Sequence, residues 1–322
     1  MKLVFVADEF QLRTPVQQLL DRFLVGYPDR GRFHRVEHAR VVLVVPRGNQ
    51  DVEHRVKNYA LAVEPDLSRV LADADAALAF GKSAKGMISH LPSGSQCFVY
   101  GALDRGTVEV ARSNSVKLLA GTATRGAFHL PRIETPRQLE KALVIVQGQH
   151  PSVEIEALEA LLPLIWKRID VRVKSVLALD QKNFWPTLKR DFWPLVKSAI
   201  SRSDTPQGDA LKDGRTQDLV GLGLLEKLAS EPRGWVIEHH SGVRSVIAVL
   251  NGVINDFNVA LETASGAILS AQVYRPAAPG EHHYSRLATA VEGFFRTGES
   301  PWPIEQNLLT LELLERFAQA RR

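Results

Sequence analysis

KLVFVADEFQLRTPVQQLLDRFL, residues 2–24, opens with KLVFVA, a near-continuous apolar run of strand length. Apolar residues then recur at Val16, Leu19, Leu20, Phe23 and Leu24, the spacing of one helix face. A strand apolar along its whole length suits a parallel sheet covered on both faces, because neither side of it meets water. The same signature returns in RVVLVV (residues 40–45) and VKLLAG (residues 116–121). Residues 76–80 and 96–100 read as further strands, with helical stretches between. Residues 66–72 read as a short helix with Asp66 as N-cap. Alternating strand and helix implies a parallel sheet with helices on both faces.

The pattern changes near His129. HLPRIETPRQ (residues 129–138) carries two prolines and reads as a domain crossing. Beyond it, 142–146 and 171–179 read as strands and 153–165 as a helix. Residues 183–200 are Trp-rich and helix-like, interrupted by Pro186 and Pro194. Residues 201–214 have the composition of a long loop. Four strand-like runs follow, at 234–238, 243–250, 254–262 and 267–274, punctuated by Gly242, Asn251-Gly252 and Ser265-Gly266. Asn-Gly between apolar runs signals a hairpin, so the second domain is expected to be an open, mainly antiparallel sheet. Helices at 283–296 and 304–320 close the chain. The expected division is 1–128 and 129–322, with the last helices free to pack back on the first domain.

A chain of 322 residues exceeds one typical core and supports the two-domain reading. Its 45% hydrophobic and 24% charged residues supply a full core without a metal or disulfide staple. The lone Cys97 excludes an internal disulfide and any cysteine-rich metal site. It lies in QCFVY and is expected to be a buried structural thiol. The opening residues are too short an apolar run, too soon followed by Asp8 and Glu9, for a signal peptide. No run approaches membrane length, so a cytoplasmic location is expected. The net charge of +4 is scattered among acids, which argues against a nucleic-acid groove.

ATAVEGFFRTGESPWPIEQNLLTLELLERFAQA (residues 288–320) resembles the end of the glucose–fructose oxidoreductase/inositol dehydrogenase family: a helix, a phenylalanine, a Thr-Gly turn with prolines, then a helix rich in leucine and glutamate. Residues 116–121 followed by Arg125 resemble the strand that ends that family's first domain. DEFQLR (8–13), DRFLVGYP (21–28), GRFHR (31–35), SRSDTPQG (201–208) and DGRTQDL (213–219) are similar to segments of a divergent branch of it. The resemblance implies a Rossmann-like doubly wound parallel sheet followed by an α+β domain. It also implies NAD or NADP as cofactor without a metal, a sugar, polyol or related small-molecule substrate, and a homodimer through the C-terminal sheet. The outer faces of 243–250 and 254–262 are the expected contact.

The chemistry of that family is altered here. A dinucleotide site normally follows its first strand with GxGxxG, so that the backbone approaches the pyrophosphate at a helix N-terminus. This chain has ADEFQLRTP, without glycine and with Asp8 and Glu9 at the place of the phosphates; Arg13 offsets part of their charge. The family's Glu-Lys-Pro corresponds to CFVYGALDRG, so its lysine falls near Tyr100 or Gly101. The family's acid–base histidine corresponds either to His150 or, in a second alignment, to the positions of Glu154 and Glu156. Glutamate in a first helical turn is also favoured by electrostatics alone. In SRSDTPQGDALKDGRTQDL, Arg202, Asp204, Arg215 and Asp218 can fork to hydroxyls or carboxylates, and Arg125 joins them as a substrate candidate. An Arg–Asp network that ties the loop down is the competing reading. His239-His240 and His282-His283 lack the spacing of a chelate. Two functions stand open: an NAD(P)-dependent oxidoreductase, or a cofactor-free descendant acting as a lyase, an isomerase or a ligand-binding protein.

Overall fold

β1 (Lys2–Ala7) is buried from its second residue onward, as a doubly covered strand must be. In this computed structural model, which describes residues 1–81, 84–149, 152–204, 219–276 and 281–321, β1 leads into α1 (Pro15–Leu24). A short hairpin follows, β2 (Tyr27–Asp29) with β3 (Arg32–His34). The chain continues through β4 (Arg40–Val44), α2 (Gln50–Tyr59), β5 (Ala62–Val63), α3 (Leu67–Leu71), β6 (Ala76–Phe80) and α4 (Ala84–Ile88). β7 (Gln96–Tyr100), α5 (Arg105–Ser113) and β8 (Lys117–Gly121) complete this run. Asp66 caps α3 as expected, its side chain accepting from Arg69 N.

The first sheet has the order β5-β4-β1-β6-β7-β8, and every pair in it is parallel. The chain steps from β1 to β4 and β5 on one side, then returns to build β6, β7 and β8 on the other. The reversal between β1 and β6 is a topological switch point. Alternation along β1 fills two cores: Leu3 and Phe5 meet Leu19, Leu20 and Phe23 of α1, while Val4 and Val6 face Met87, Ile88 and Val108. Each such fully buried side chain contributes about 1.5–3 kcal/mol. Cys97 is wholly buried in the second core, and burial pushes its thiol pKa up, as an inert structural cysteine requires.

The second sheet collects β9 (Phe128–Leu130), β10 (Leu139–Val146), β11 (Val173–Leu179), β12 (Ser230–His239), β13 (Arg244–Asn251), β14 (Phe257–Thr263) and β15 (Ile268–Tyr274). Its helices are α6 (Val153–Ile165), α7 (Phe184–Asp191), α8 (Trp193–Ile200) and α9 (Leu225–Leu228). Phe192 separates α7 from α8, and Pro194 stands in the first turn of α8, where a missing N–H costs nothing. The order is β11-β12-β13-β10-β14-β15-β9. It is mainly antiparallel, with β10 and β13 the parallel pair.

Two expectations need correction here. Asn251-Gly252 does not close a hairpin, because β10 lies between β13 and β14 and pairs with both. Gly252, at φ +80°, starts a crossing past the end of β10, and Asn251 Oδ1 accepts from Gly148 N at 2.9 Å. The tight hairpins are β12–β13, turning at Gly242, and β14–β15, turning at Gly266. The faces of β13 and β14 are also not left outside. α8 packs on β10, β14 and β15, and α6 packs on β10 and β13. Leu143 and Ile145 share a core with α7 and α8, while the alternating Val144 and Val146 are equally buried. The central strands are therefore covered on both faces within this unit.

Two helices follow, α10 (His282–Thr297) and α11 (Ile304–Ala320). The chain divides into one unit of Met1–Gly126 with Pro276–Leu311 and another of Ala127–Arg275 with Glu312–Arg322. In the first unit, Gly126 lies so close to α10 that a Cβ would collide with the carbonyl of His283. Residues of the segments 8–13, 21–28 and 31–35 build this neighbourhood. Tyr27 donates to Glu292 at 2.7 Å, and His34 Nε2 lies 2.8 Å from the same carboxylate. Asp21 accepts two bonds from Arg55, at 2.6 and 2.7 Å, and that guanidinium sits 5.0 Å above the Phe10 ring.

Candidate functional site

The carboxyl ends of the first sheet form the candidate site. Asp8 follows β1, and its carboxylate lies over Gly81, which follows β6. A side chain on Gly81 would place its Cβ 2.7 Å from Asp8 Cγ. Gly81 has φ +99°, so this position needs glycine on both counts. The carboxylate thus stands at the topological switch point. Glu9 is exposed and accepts from Gln11 Nε2 at 3.0 Å.

The loop 8–14 is closed on itself. Phe10 is buried and its carbonyl accepts from Asn49 Nδ2 at 2.6 Å. Thr14 Oγ1 donates to Gln11 O at 2.6 Å. Arg13, at φ +65°, donates its backbone N–H to Gln17 Oε1 at 2.9 Å. α1 then begins at Pro15, which has no N–H to offer. A pyrophosphate seated on a helix N-terminus needs free backbone donors and close approach. Here the loop has no glycine, the backbone N–H groups of Arg13 and Thr14 are engaged, and a carboxylate stands beside it. Like charges about 4 Å apart repel by about 1–4 kcal/mol between water and a protein surface. The loop does not fit a dinucleotide in the ordinary pose.

The neighbouring strand ends differ. β6, β7 and β8 end at Gly81, Gly101 and Gly121, with φ of +99°, +105° and +153°. A Cβ on Gly101 would meet nothing within 4 Å. Arg47 is exposed just beyond β4, the strand end where dinucleotide folds hold the ribose. Tyr100 ends β7, half-buried in an aromatic row. It stacks on Phe80 at 5.9 Å and on Tyr284 at 6.5 Å, and its hydroxyl lies 3.4 Å from that of Tyr284 and from Ala123 N. Asn307, wholly buried, accepts from Leu103 N at 2.7 Å and donates to Gly101 O at 2.8 Å. It therefore fixes the turn after β7. Arg125 donates to Gln306 at 2.6 Å and lies 5.0 Å over Trp302, which ties it to α11 and the segment before it.

In the second unit, Glu154 and Glu156 both belong to the first turns of α6. Glu154 accepts from Arg321 at 3.1 Å and lies 3.6 Å from Arg233. Glu156 lies 3.8 Å from Arg275, whose guanidinium covers Phe257 at 4.2 Å. Arg202 donates to Ser270 at 2.9 Å. The Asp204 N–H donates to Asp256, which also accepts from Ser203, Asn258 and Gln272. Segment 201–204 is thus docked on β14 and β15. His150, Arg215 and Asp218 lie outside the described residues.

Sequence reasoning missed Gly81, Arg47, Tyr284, Asn307, Asp256, Arg233 and Arg321. Gly81 and Arg47 carry a readable signal, since Gly81 directly follows one apolar strand run and Arg47 lies two residues beyond another. Asn307 carries none, because helical spacing shows only that its position faces inward. His239 ends β12 and is buried, while His240, in the turn after it, is exposed, so the adjacent pair does not converge on one site. Among the described residues no group of three His, Cys, Asp or Glu side chains is placed to hold a metal, and no helix is long and apolar enough to cross a membrane.

No protein-family model matches this chain, and no curated protein matches it. Solved structures do. A probable dehydrogenase from Thermotoga maritima is similar over 100% of this chain and 98% of its own, with TM-score 0.63 and 11% identity. Scyllo-inositol dehydrogenase from Lactobacillus casei, with bound NAD(H) and scyllo-inositol, is similar over 99% and 96%, with TM-score 0.61 and 10% identity. Biliverdin reductase from Synechocystis, in complex with biliverdin and NADP+, is similar over 99% and 98%, with TM-score 0.59 and 12% identity. The expected fold, a doubly wound parallel sheet followed by an α+β domain, is the one observed.

Proposed function

We propose that this chain is an NAD(P)-dependent oxidoreductase of a sugar, polyol or related hydroxy compound. The observation that carries the reading is the end-to-end likeness to a dehydrogenase solved with bound NAD(H) and a reductase solved with bound NADP+. Gly101, after β7, supports it, because a Cβ there would meet nothing within 4 Å and that strand end is open. Arg47 suits a 2′-phosphate better than an acid would, so NADP is the expected form. Asp8, Glu9 and Arg13 are proposed to border the dinucleotide, displaced from the pose that the loop does not fit. Tyr100 stands in for the family's lysine, its hydroxyl offering a hydrogen bond to the reacting group without a positive charge. His150, Glu154 and Glu156 remain the proposed acid–base residues. Arg125, Arg202, Asp204, Arg215 and Asp218 are the proposed substrate contacts. A cytoplasmic homodimer belongs to the same reading. Its contact is expected at the β9 edge, where Phe128, Leu130 and Tyr274 are exposed.

The carboxylate of Asp8 over Gly81 favours a second reading, in which the same fold works without a dinucleotide as a lyase, an isomerase or a ligand-binding protein. A screen separates the two. The purified protein is given NADP or NAD with a panel of sugars and polyols, and absorbance of the reduced nicotinamide is followed. Turnover with any member establishes the first reading. Ligand binding from the panel with neither dinucleotide bound nor reduced establishes the second.

A further inference from the structure

The hairpin of β2 and β3 takes no part in the candidate site, and its outer strand carries unmatched charge. Residues 27–40 hold Arg30, Arg32, Arg35 and Arg40 against Asp29 and Glu37. Arg30, Arg32 and Arg35 are exposed and make no ion pair among the described residues. Asp29 stands opposite Arg32 in the hairpin register without pairing with its guanidinium, and Glu292 is occupied by Tyr27 and His34. Phe33 lies among these arginines and is 59% exposed, with the Arg35 guanidinium 5.9 Å from its ring centroid. The hairpin is held in shape. α10 packs on β2, and Tyr27 and His34 fasten both strands to Glu292. Gly26, at φ +117°, makes room for β3, since a Cβ there would lie 2.5 Å from His34 O and 2.7 Å from the Phe33 ring. β3 has β2 as its strand partner, and its other edge joins no ladder among the described residues. Such an edge offers N–H and C=O groups to another chain.

A strand laid along that edge meets Arg32, Phe33 and Arg35 in turn. Opposite charges on neighbouring strands attract, and an aromatic side chain favours an apolar neighbour. A nucleic-acid strand would use the arginines and Phe33 but not the backbone edge. We propose that β3 docks an extended acidic segment of a protein partner by strand addition, with carboxylates on Arg32 and Arg35 and an apolar side chain on Phe33. Arginine forks match the planar carboxylate, and Arg30 at the turn extends the positive field along the segment. Because the hairpin is already formed, the ordering on binding falls to the peptide alone. The surface is independent of the dinucleotide question, because no residue of the hairpin belongs to the candidate site.

The test uses the full chain and calorimetric titration with the end-blocked peptide Glu-Glu-Val-Val-Glu-Glu, which presents the required pattern in either strand direction. Lys-Lys-Val-Val-Lys-Lys inverts the charge, and Glu-Glu-Pro-Pro-Glu-Glu keeps the charge but lacks the central N–H groups. Saturable binding of the first peptide, with a Kd of about 10–500 µM, is expected, with both controls at least about tenfold weaker. Arg32→Glu should weaken it at least about tenfold, and Phe33→Ser by about three- to tenfold. Both side chains are exposed, and thermal melts establish that each variant is folded. Failure of the first peptide to saturate by about 5 mM overturns the proposal. So does equal binding of either control peptide, or unchanged affinity in both folded variants. Binding of oligo-deoxythymidine in place of the acidic peptide would also overturn it and assign the arginines to nucleic acid.

Discussion

The Asp8 carboxylate lies over Gly81, where a Cβ would come within 2.7 Å of Asp8 Cγ. It places a negative charge at the switch point of a fold that usually receives phosphates there. Asp8→Asn keeps the shape and removes the charge. Dinucleotide affinity is expected to rise about tenfold in that variant, a gain of about 1.4 kcal/mol. Calorimetry on both proteins reads this directly, and weaker or unchanged binding would show that the dinucleotide does not pass near Asp8.

Arg47 sets cofactor choice if the ribose lies beyond β4. Arg47→Glu should lower NADP affinity relative to NAD by at least about tenfold. Parallel titrations with the two dinucleotides give the ratio. An unchanged ratio would place the 2′-phosphate elsewhere.

Asn307 joins α11 to the turn after β7 through two buried backbone groups. Asn307→Ala leaves both without that partner. The expected loss is about 2–4 kcal/mol, measured by urea unfolding. A loss under about 0.5 kcal/mol would mean that the turn finds other partners.

His239 gives a pH signature in the second unit. It is wholly buried, with Nδ1 3.0 Å from Val171 O and Nε2 2.9 Å from Ser245 Oγ. A carbonyl only accepts, so Nδ1 carries the proton of the neutral ring and Nε2 accepts from the hydroxyl. Burial lowers its pKa below the ordinary 6.5, while Val171 O and Asp170 oppose the shift. As pH falls below that value the unfolded chain binds a proton first, so stability falls with acid and is fully present above it. Between pH 7.5 and 5.5 the wild type should lose about 1 kcal/mol more than His239→Gln. Urea titrations at the two pH values test it; equal losses would show that His239 charges freely in the folded state.

Much of this architecture is legible in the sequence, and the reasons are local. KLVFVA and the 3.6-residue period after it specify a strand and a helix through burial alone, and α6 reads correctly from its apolar face. Asn251-Gly252 misled because a turn signal reports local backbone geometry and not which strands pair; β10, more than a hundred residues earlier, takes the place between β13 and β14. Coverage of both faces of the second sheet was hidden for a related reason. The apolar alternation of 183–200 shows an amphipathic segment but not the surface it meets. In the candidate site, the absence of glycine after β1 was readable, and so was the acidic pair. That Asp8 turns onto Gly81, and that Glu154 is held by Arg233 and Arg321, depends on contacts between distant segments, which no spacing encodes.

The central claim is that this chain still binds a nicotinamide dinucleotide despite the remodelled loop after β1. Mass spectrometry of the denatured protein for a co-purified dinucleotide, followed by calorimetric titration with NADP and NAD, tests it most directly. A co-purified dinucleotide, or a Kd of about 1–100 µM with NADP the tighter, is the predicted result. No dinucleotide in the purified protein and no heat up to about 5 mM of either would contradict it, and the fold would then be serving a ligand other than its usual cofactor.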